Sequence, residues 1–280
     1  MSAHLQSREE LIALLAWQVD AGIDEVLLDQ PDPDAPAQRI ADFVTKTPAP
    51  EQSKVPELSK APSPALNTAS ATLSPVSAPN PAPVSNVATD QTLASIQTLT
   101  ALRAALETMD DCALKHTASN LVFADGNAGA RVMIIGESPG RDEDRVGLPF
   151  VGASGQFLDK MLASIGLDRS LVYIANLLPW RPPGNRTPTA EEVNMLLPWL
   201  RRHIQLANPE IVFILGGSSA KALLDSKDGI MKLRGKWRDV DYGDGINRPT
   251  LASLHPAYLL RSPAQKRLAF HDLLSLAGKL

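Results

Sequence analysis

Thiols are nearly absent from this chain of 280 residues, in which Cys112 is the single cysteine. One cysteine excludes an internal disulfide framework and cannot hold a metal ion by itself. No apolar run approaches the ~20 residues that span a bilayer. The apolar stretch from Leu11 to Trp17 follows directly on Arg8, Glu9 and Glu10, which is not the pattern of a secretory signal. The glycine-rich segment Gly136-Glu-Ser-Pro-Gly140 lacks the G-x-G-x-x-G spacing of a dinucleotide site and the Gly-Lys-Ser/Thr of a phosphate loop. No internal repeat is visible. A soluble cytoplasmic protein is expected, without a membrane partner.

Aromatic residues are missing from Gln30 to Asn86 except for Phe43, while twelve of the 23 prolines fall there among many Ala, Ser and Thr. Such a stretch cannot bury enough apolar surface to offset its ordering entropy, so residues 30–87 read as a disordered linker. Ahead of it, residues 1–29 carry a capping-box pattern, Ser7 with Glu10, and a short amphipathic helix over about Arg8 to Ala21 closed by Gly22. That helix is too short to be stable alone. It docks on the main domain or is a hook for a protein partner.

Excess charge of one sign is also concealed by the average. The net charge is −4, yet residues 1–111 hold 6 Lys/Arg against 15 Asp/Glu, and residues 112–280 hold 21 against 16. The folded part is basic and allows a phosphate-binding face.

Residues 88–280 alternate in pattern. Strands are expected at Arg131–Gly136, Leu171–Asn176, Glu210–Gly216, Lys236–Tyr242 and Thr250–Leu254. Helices are expected at Asp90–Thr108, Ser154–Ile165, Thr189–Ala207, Ser218–Leu224 and Ala264–Ala277. Nearly continuous Val/Ile/Leu strands separated by helices imply a mainly parallel sheet covered on both faces, a three-layer α/β/α sandwich.

Ligands of open α/β sheets bind where strands end and loops begin. Those junctions hold Gly136 to Gly140, the acidic run Asp142 to Asp144, Phe150, Asn176, Arg181-Pro-Pro-Gly-Asn185-Arg186, Gly216-Gly217 and His255-Pro-Ala-Tyr-Leu-Leu-Arg261. Gly136 to Gly140 is a tight turn or a rigid bed of backbone N–H groups. Phe150 is a core residue or a stacking platform, and Asn176 caps a loop or reads a ligand. Arg181, Asn185 and Arg186 around a proline-stiffened turn can hold phosphates at low entropic cost. His255 ends a strand, and Leu259 and Leu260 beside Arg261 suit a wedge that unstacks a duplex. The other four histidines, His4, His116, His203 and His271, read as structural.

Taken in order, these motifs resemble the family 4 uracil-DNA glycosylases, within the wider uracil-DNA glycosylase superfamily, from about Cys112 to Leu273. The resemblance implies a monofunctional enzyme of base excision repair that removes uracil from single- or double-stranded DNA, associated with the nucleoid and monomeric. The alternative is a relative that binds DNA or damage without turnover. Catalytic roles are implied for Glu137, Glu143 and His255: either carboxylate would manage the water, and His255 would hydrogen-bond uracil O2. Glu143 would also line the pocket near the face of a thymine methyl. Gly136, Ser138, Pro139 and Gly140 would form the water-and-uracil loop, Phe150 would stack on the base, and Asn176 would read its O4 and N3 edge. Arg181, Asn185, Arg186, Leu259, Leu260 and Arg261 would meet the DNA.

The chain departs from the family at one point. Members typically carry four cysteines that hold a 4Fe–4S cluster. Here Met109, Trp180 and Leu196 stand at three of those positions beside Cys112, so no cluster and no metal are expected. The covalent variant of the superfamily has a Lys-Arg-Arg-Ile-His insertion. This chain has Gly184-Asn-Arg-Thr-Pro188 there, which favours ordinary hydrolysis.

Overall fold

A computed structural model describes residues 93–280. The expected N-terminal helix and the linker lie outside the described residues. Six strands form one sheet: β1 (Asp125–Gly126), β2 (Val132–Gly136), β3 (Val172–Asn176), β4 (Ile211–Leu215), β5 (Trp237–Asp241) and β6 (Asn247–Ser253), in the order β1-β3-β2-β4-β6-β5. The four central strands are parallel, and β1 and β5 run antiparallel at the two edges.

The central strands are buried at every position of β2, β3 and β4, which is why they read as unbroken apolar runs. Period-2 alternation divides them between two cores. Met133, Ile135, Tyr173, Ala175, Val212 and Ile214 face one, while Val132, Ile134, Val172, Ile174, Ile211 and Phe213 face the other. Helices α1 (Leu99–Thr108) and α5 (Ala190–Ala207) cover the first core with Leu102, Leu106, Leu196, Leu200 and Ile204. Helices α4 (Ala153–Ala163) and α9 (Lys266–Ala277) cover the second with Phe157, Leu158, Met161, Phe270 and Leu273. The molecule is the expected three-layer sandwich. Edge strand β5 carries exposed Arg238, Asp239 and Asp241, charges that discourage pairing with another chain.

Local chemistry fixes the element ends. Thr189 Oγ1 accepts the Glu192 N–H at 3.2 Å and the Glu192 carboxylate accepts the Thr189 N–H at 2.8 Å, closing a capping box on α5. Asn208 ends the same helix in the left-handed conformation.

Five short elements were not expected: β1, α2 (Ala113–Thr117), α3 (Arg141–Val146), α7 (Ile230–Leu233) and α8 (Pro256–Arg261). The first helix starts at Leu99 rather than Asp90, with Thr98 as its cap. The remaining helix, α6 (Gly217–Leu223), follows β4 directly. No helix among the described residues is long and apolar enough to cross a membrane.

Strand order decides where a ligand can bind. The chain leaves β2 for β3 on one side, then crosses to β4 on the other. The loops after β2 and β4 therefore diverge, and a crevice opens at their carboxyl ends. Gly136, Asn176, Gly216 and His255 all follow from that end of the sheet.

Candidate active site

The loop after β2 is fastened from both sides. The Gly136 carbonyl accepts the Leu177 N–H at 2.9 Å and the buried Ser219 hydroxyl at 2.7 Å, and the Glu137 carbonyl accepts the Leu178 N–H at 3.0 Å. Gly136 has no room for a side chain: a Cβ there would lie 2.4 Å from Asn176 Oδ1 and 2.6 Å from Phe150 Cζ. Changing Gly136 to Ala should displace both partners, cost about 1–3 kcal/mol of stability, and cut turnover by about 10²-fold through misplacement. Thermal melts and single-turnover rates of the variant would check this. A wild-type rate would show that the close approach has no functional weight.

The acidic run is not the solvated surface that its composition suggests. Glu143 is buried, and its carboxylate accepts backbone N–H groups from Gly140 (3.0 Å), Val151 (3.0 Å) and Gly152 (2.8 Å). Buried Asp144 accepts the N–H groups of Ser119 (2.8 Å) and Asn120 (3.2 Å). These two carboxylates hold the loops around the site to one another. A carboxylate has about four lone-pair sites, so Glu143 has little capacity left for a ligand.

Phe150 is buried at 4% exposure with φ +54°, a left-handed backbone that a non-glycine residue rarely adopts. Such a conformation costs on the order of 1–3 kcal/mol and persists only when its surroundings enforce it. Arg169 is the enforcer. It donates to the carbonyls of Phe150 and Pro149 while pairing with Asp125 at 2.6 Å and Asp159 at 2.8 Å. Gly155 packs so tightly under the Phe150 carbonyl that a Cβ would meet its oxygen at 1.7 Å. The phenyl ring then faces the His255 imidazole, centroids 5.5 Å apart and planes 25° apart.

His255 caps the N-terminus of α8, its Nδ1 accepting the Ala257 N–H at 3.2 Å. With Nδ1 an acceptor, the proton of the neutral ring sits on Nε2 and is free to be donated. Burial, helped by the positive charge of Arg261, lowers the imidazole pKa to about 4. Activity that depends on the neutral ring should therefore persist below the usual histidine range and fall with a midpoint near pH 4. A kcat/KM profile bending near pH 6.5 would contradict it. For stability the sign is the same. The unfolded ring takes up its proton first, so folding free energy is lost as pH falls from 6.5 towards about 4.

His203 is structural, as expected: it is buried, bonds the Tyr173 hydroxyl at 2.9 Å and stacks on Phe123.

Two clefts meet at Asn185, Ala257 and Arg261. One, about 520 Å³, is lined by Glu137, Ser138, Gly216, His255 and Tyr258, with Ile230 and Met231 of α7 among its apolar residues. The other, about 580 Å³, is lined by Arg141, Arg181 and Arg261. Glu137 accepts no side-chain hydrogen bond among the described residues. Asn176 is buried at 7% exposure, and its amide likewise has no partner there.

Arg181 is braced by Asn185 Oδ1 at 2.7 Å. Arg186 is held in two bonds by Glu192, and that guanidinium brings the Glu192 carboxyl down to about 2.

One expected site residue is corrected. Leu259, read with Leu260 as a wedge, is 1% exposed and belongs to the second core. Neighbours on a helix point about 100° apart, so α8 buries Leu259 and leaves Leu260 out at 43% exposure. Sequence reasoning also missed Ser219 and Arg169. A serine in the first turn of a helix after a strand-ending glycine pair is a signal for the first, but nothing local marks the second.

Gly136, Asn176 and His255 thus meet at the carboxyl end of one α/β sheet, where enzymes of this class place their ligands. The family model described as "Uracil DNA glycosylase superfamily" matches residues 123–274. The chain belongs to the uracil-DNA glycosylase superfamily, whose members are hydrolases of N-glycosyl bonds in DNA repair.

Within it, the chain is similar to enzymes named Type-4 uracil-DNA glycosylase. That of Archaeoglobus fulgidus is 39% identical over 173 residues, covering 56% of this chain and 86% of the relative. That of Pyrobaculum aerophilum is 37% identical over 180 residues, covering 63% and 92%. That of Thermotoga maritima is 36% identical over 165 residues, covering 58% and 84%.

The residues present do not fit the iron–sulfur cluster typical of such enzymes. Four thiolates are needed and the sequence holds one cysteine. Cys112, Trp180 and Leu196 are each no more than 2% exposed, in one apolar core against which Met109 packs. Among the described residues no other group of His, Cys, Asp or Glu is placed to hold a metal ion.

Proposed function

We propose that this protein hydrolyses the N-glycosidic bond of uracil in DNA and leaves an abasic site, as a monofunctional glycosylase of base excision repair. The observation that carries the reading is the convergence of Gly136, Phe150, Asn176 and His255 at one end of one sheet, with the His255 Nε2–H free to donate. Extruding a base costs a few kcal/mol, and stacking on an aromatic ring returns roughly 1–3 kcal/mol. Phe150 supplies that ring. The Asn176 amide matches uracil O4 and N3–H.

As the bond from C1′ to N1 breaks, its electron pair passes to the uracil ring and collects on the oxygens. The His255 proton meets O2, the kind of placed donor worth roughly 3–4 kcal/mol in the transition state. A water then bonds to the oxocarbenium-like C1′ and gives up its proton. Of the two candidate carboxylates, Glu137 suits this role better. It lines the cleft with its oxygens unengaged, whereas Glu143 is committed to three backbone N–H groups. Glu143 is then a positioning residue.

No lysine lines either cleft, which supports hydrolysis without a Schiff base or strand cleavage. A uracil-containing oligonucleotide should stay intact after incubation and break at the uracil only after alkali. Breakage without alkali would overturn the monofunctional reading. Binding with no alkali-labile product would make the protein a damage binder.

A further inference from the structure

The cleft of about 580 Å³ lies beside the proposed base site, not within it. Three guanidiniums line it: Arg141 at the start of α3, Arg181 before the 183–185 turn, and Arg261 at the end of α8. They are distant in sequence, and a helix start, a turn and a helix end bring them to one cavity. Neither Arg141 nor Arg261 has a carboxylate or hydrogen-bond partner among the described residues, and both are exposed. Arg169, Arg234 and Arg248, by contrast, are committed to carboxylates. Two unpaired cations lining one cavity repel each other, and an anion between them relieves the repulsion.

We propose that Arg141, Arg181 and Arg261 form a clamp for one backbone phosphodiester next to the extruded nucleotide. The proposal rests on the glycosylase reading and adds Arg141 to the DNA-contacting set. The charge of the cleft selects the kind of phosphate. The carboxylates of Glu143 and Asp142 line it too, so the three guanidiniums leave one positive charge in excess. Asp144 is not part of the lining and stands 3.9 Å from Arg181, at the outer limit of an ion pair. What is left balances one negative charge, which is a diester inside a strand. A terminal monoester, nearly doubly charged at neutral pH, would be repelled by Asp142.

Arg261 joins the two functions because it lines both clefts and its charge helps keep His255 neutral.

The test uses the full chain and two uracil oligonucleotides, with one uncharged methylphosphonate immediately 5′ or 3′ of the deoxyuridine. Binding is read by fluorescence anisotropy and turnover by alkali cleavage. One of the two positions should weaken wild-type binding and kcat/KM by roughly tenfold, as expected for loss of a charge-assisted contact. In Arg141→Gln that penalty should largely vanish, and the slope of log K against log salt should shrink by about one. Arg238→Gln, on the edge strand β5, should keep the full penalty.

A wild-type protein indifferent to both methylphosphonates, or an Arg141→Gln protein with an unreduced penalty, would overturn the clamp. Cleavage of the unmodified oligonucleotide tests the glycosylase reading separately. Anisotropy reads the clamp even if no base is released.

Discussion

His255→Ala should lower the rate of uracil release about 10²–10³-fold at saturating DNA, the usual cost of removing one oxyanion donor. The change removes two things at once: the Nε2–H donor and the Nδ1 acceptor that caps α8. Loss of a cap costs about 1 kcal/mol, so a small fall in Tm accompanies the loss of rate. His255→Asn separates the two effects. Asparagine caps helices well yet cannot place a donor where Nε2 stands, so it should restore Tm and leave the rate low. KM should move little in either variant, because the bond to O2 strengthens as charge develops on it. A single-turnover rate for His255→Ala within threefold of wild type would remove His255 from the mechanism.

Asn176→Asp should be at least as severe and should alter choice as well as speed. The buried amide has no protein partner among the described residues, so it stands ready for a ligand with one donor and one acceptor. The carboxylate keeps the acceptor for N3–H and loses the donor for O4. It also puts a negative charge beside a ring that is itself becoming negative. A site built on hydrogen bonds discriminates by up to about 10⁴–10⁵, and a loss of roughly 10³-fold in kcat/KM for uracil is expected. Cytosine carries an amine at the O4 position and no N3–H, so discrimination between the two bases should narrow in the variant. Paired rates on uracil and cytosine oligonucleotides measure it. Unchanged selectivity would mean that other groups read the base edge.

Periodicity made the layers legible. Strands β2, β3 and β4 are apolar because both of their faces are buried, and the helix expected from Thr189 to Ala207 starts one residue later, at Ala190. The convergence of Gly136, Asn176 and His255 also followed from reading strand ends.

Short helices were not legible. In α8 the Pro256 at its first turn reads as a loop breaker, although proline suits that position. Once those residues are helical, Leu259 and Leu260 cannot share a surface. The acidic run shows the same limit, since Glu143 and Asp144 are buried by backbone partners up to 25 residues away. Arg169 holds Phe150 through tertiary contacts that leave no periodic trace.

Trp180, Leu196 and Cys112 close their part of the core on carbon and a lone thiol. Where four thiolates would lean on an inorganic centre for their cohesion, this region is held by the contact of one side chain with the next.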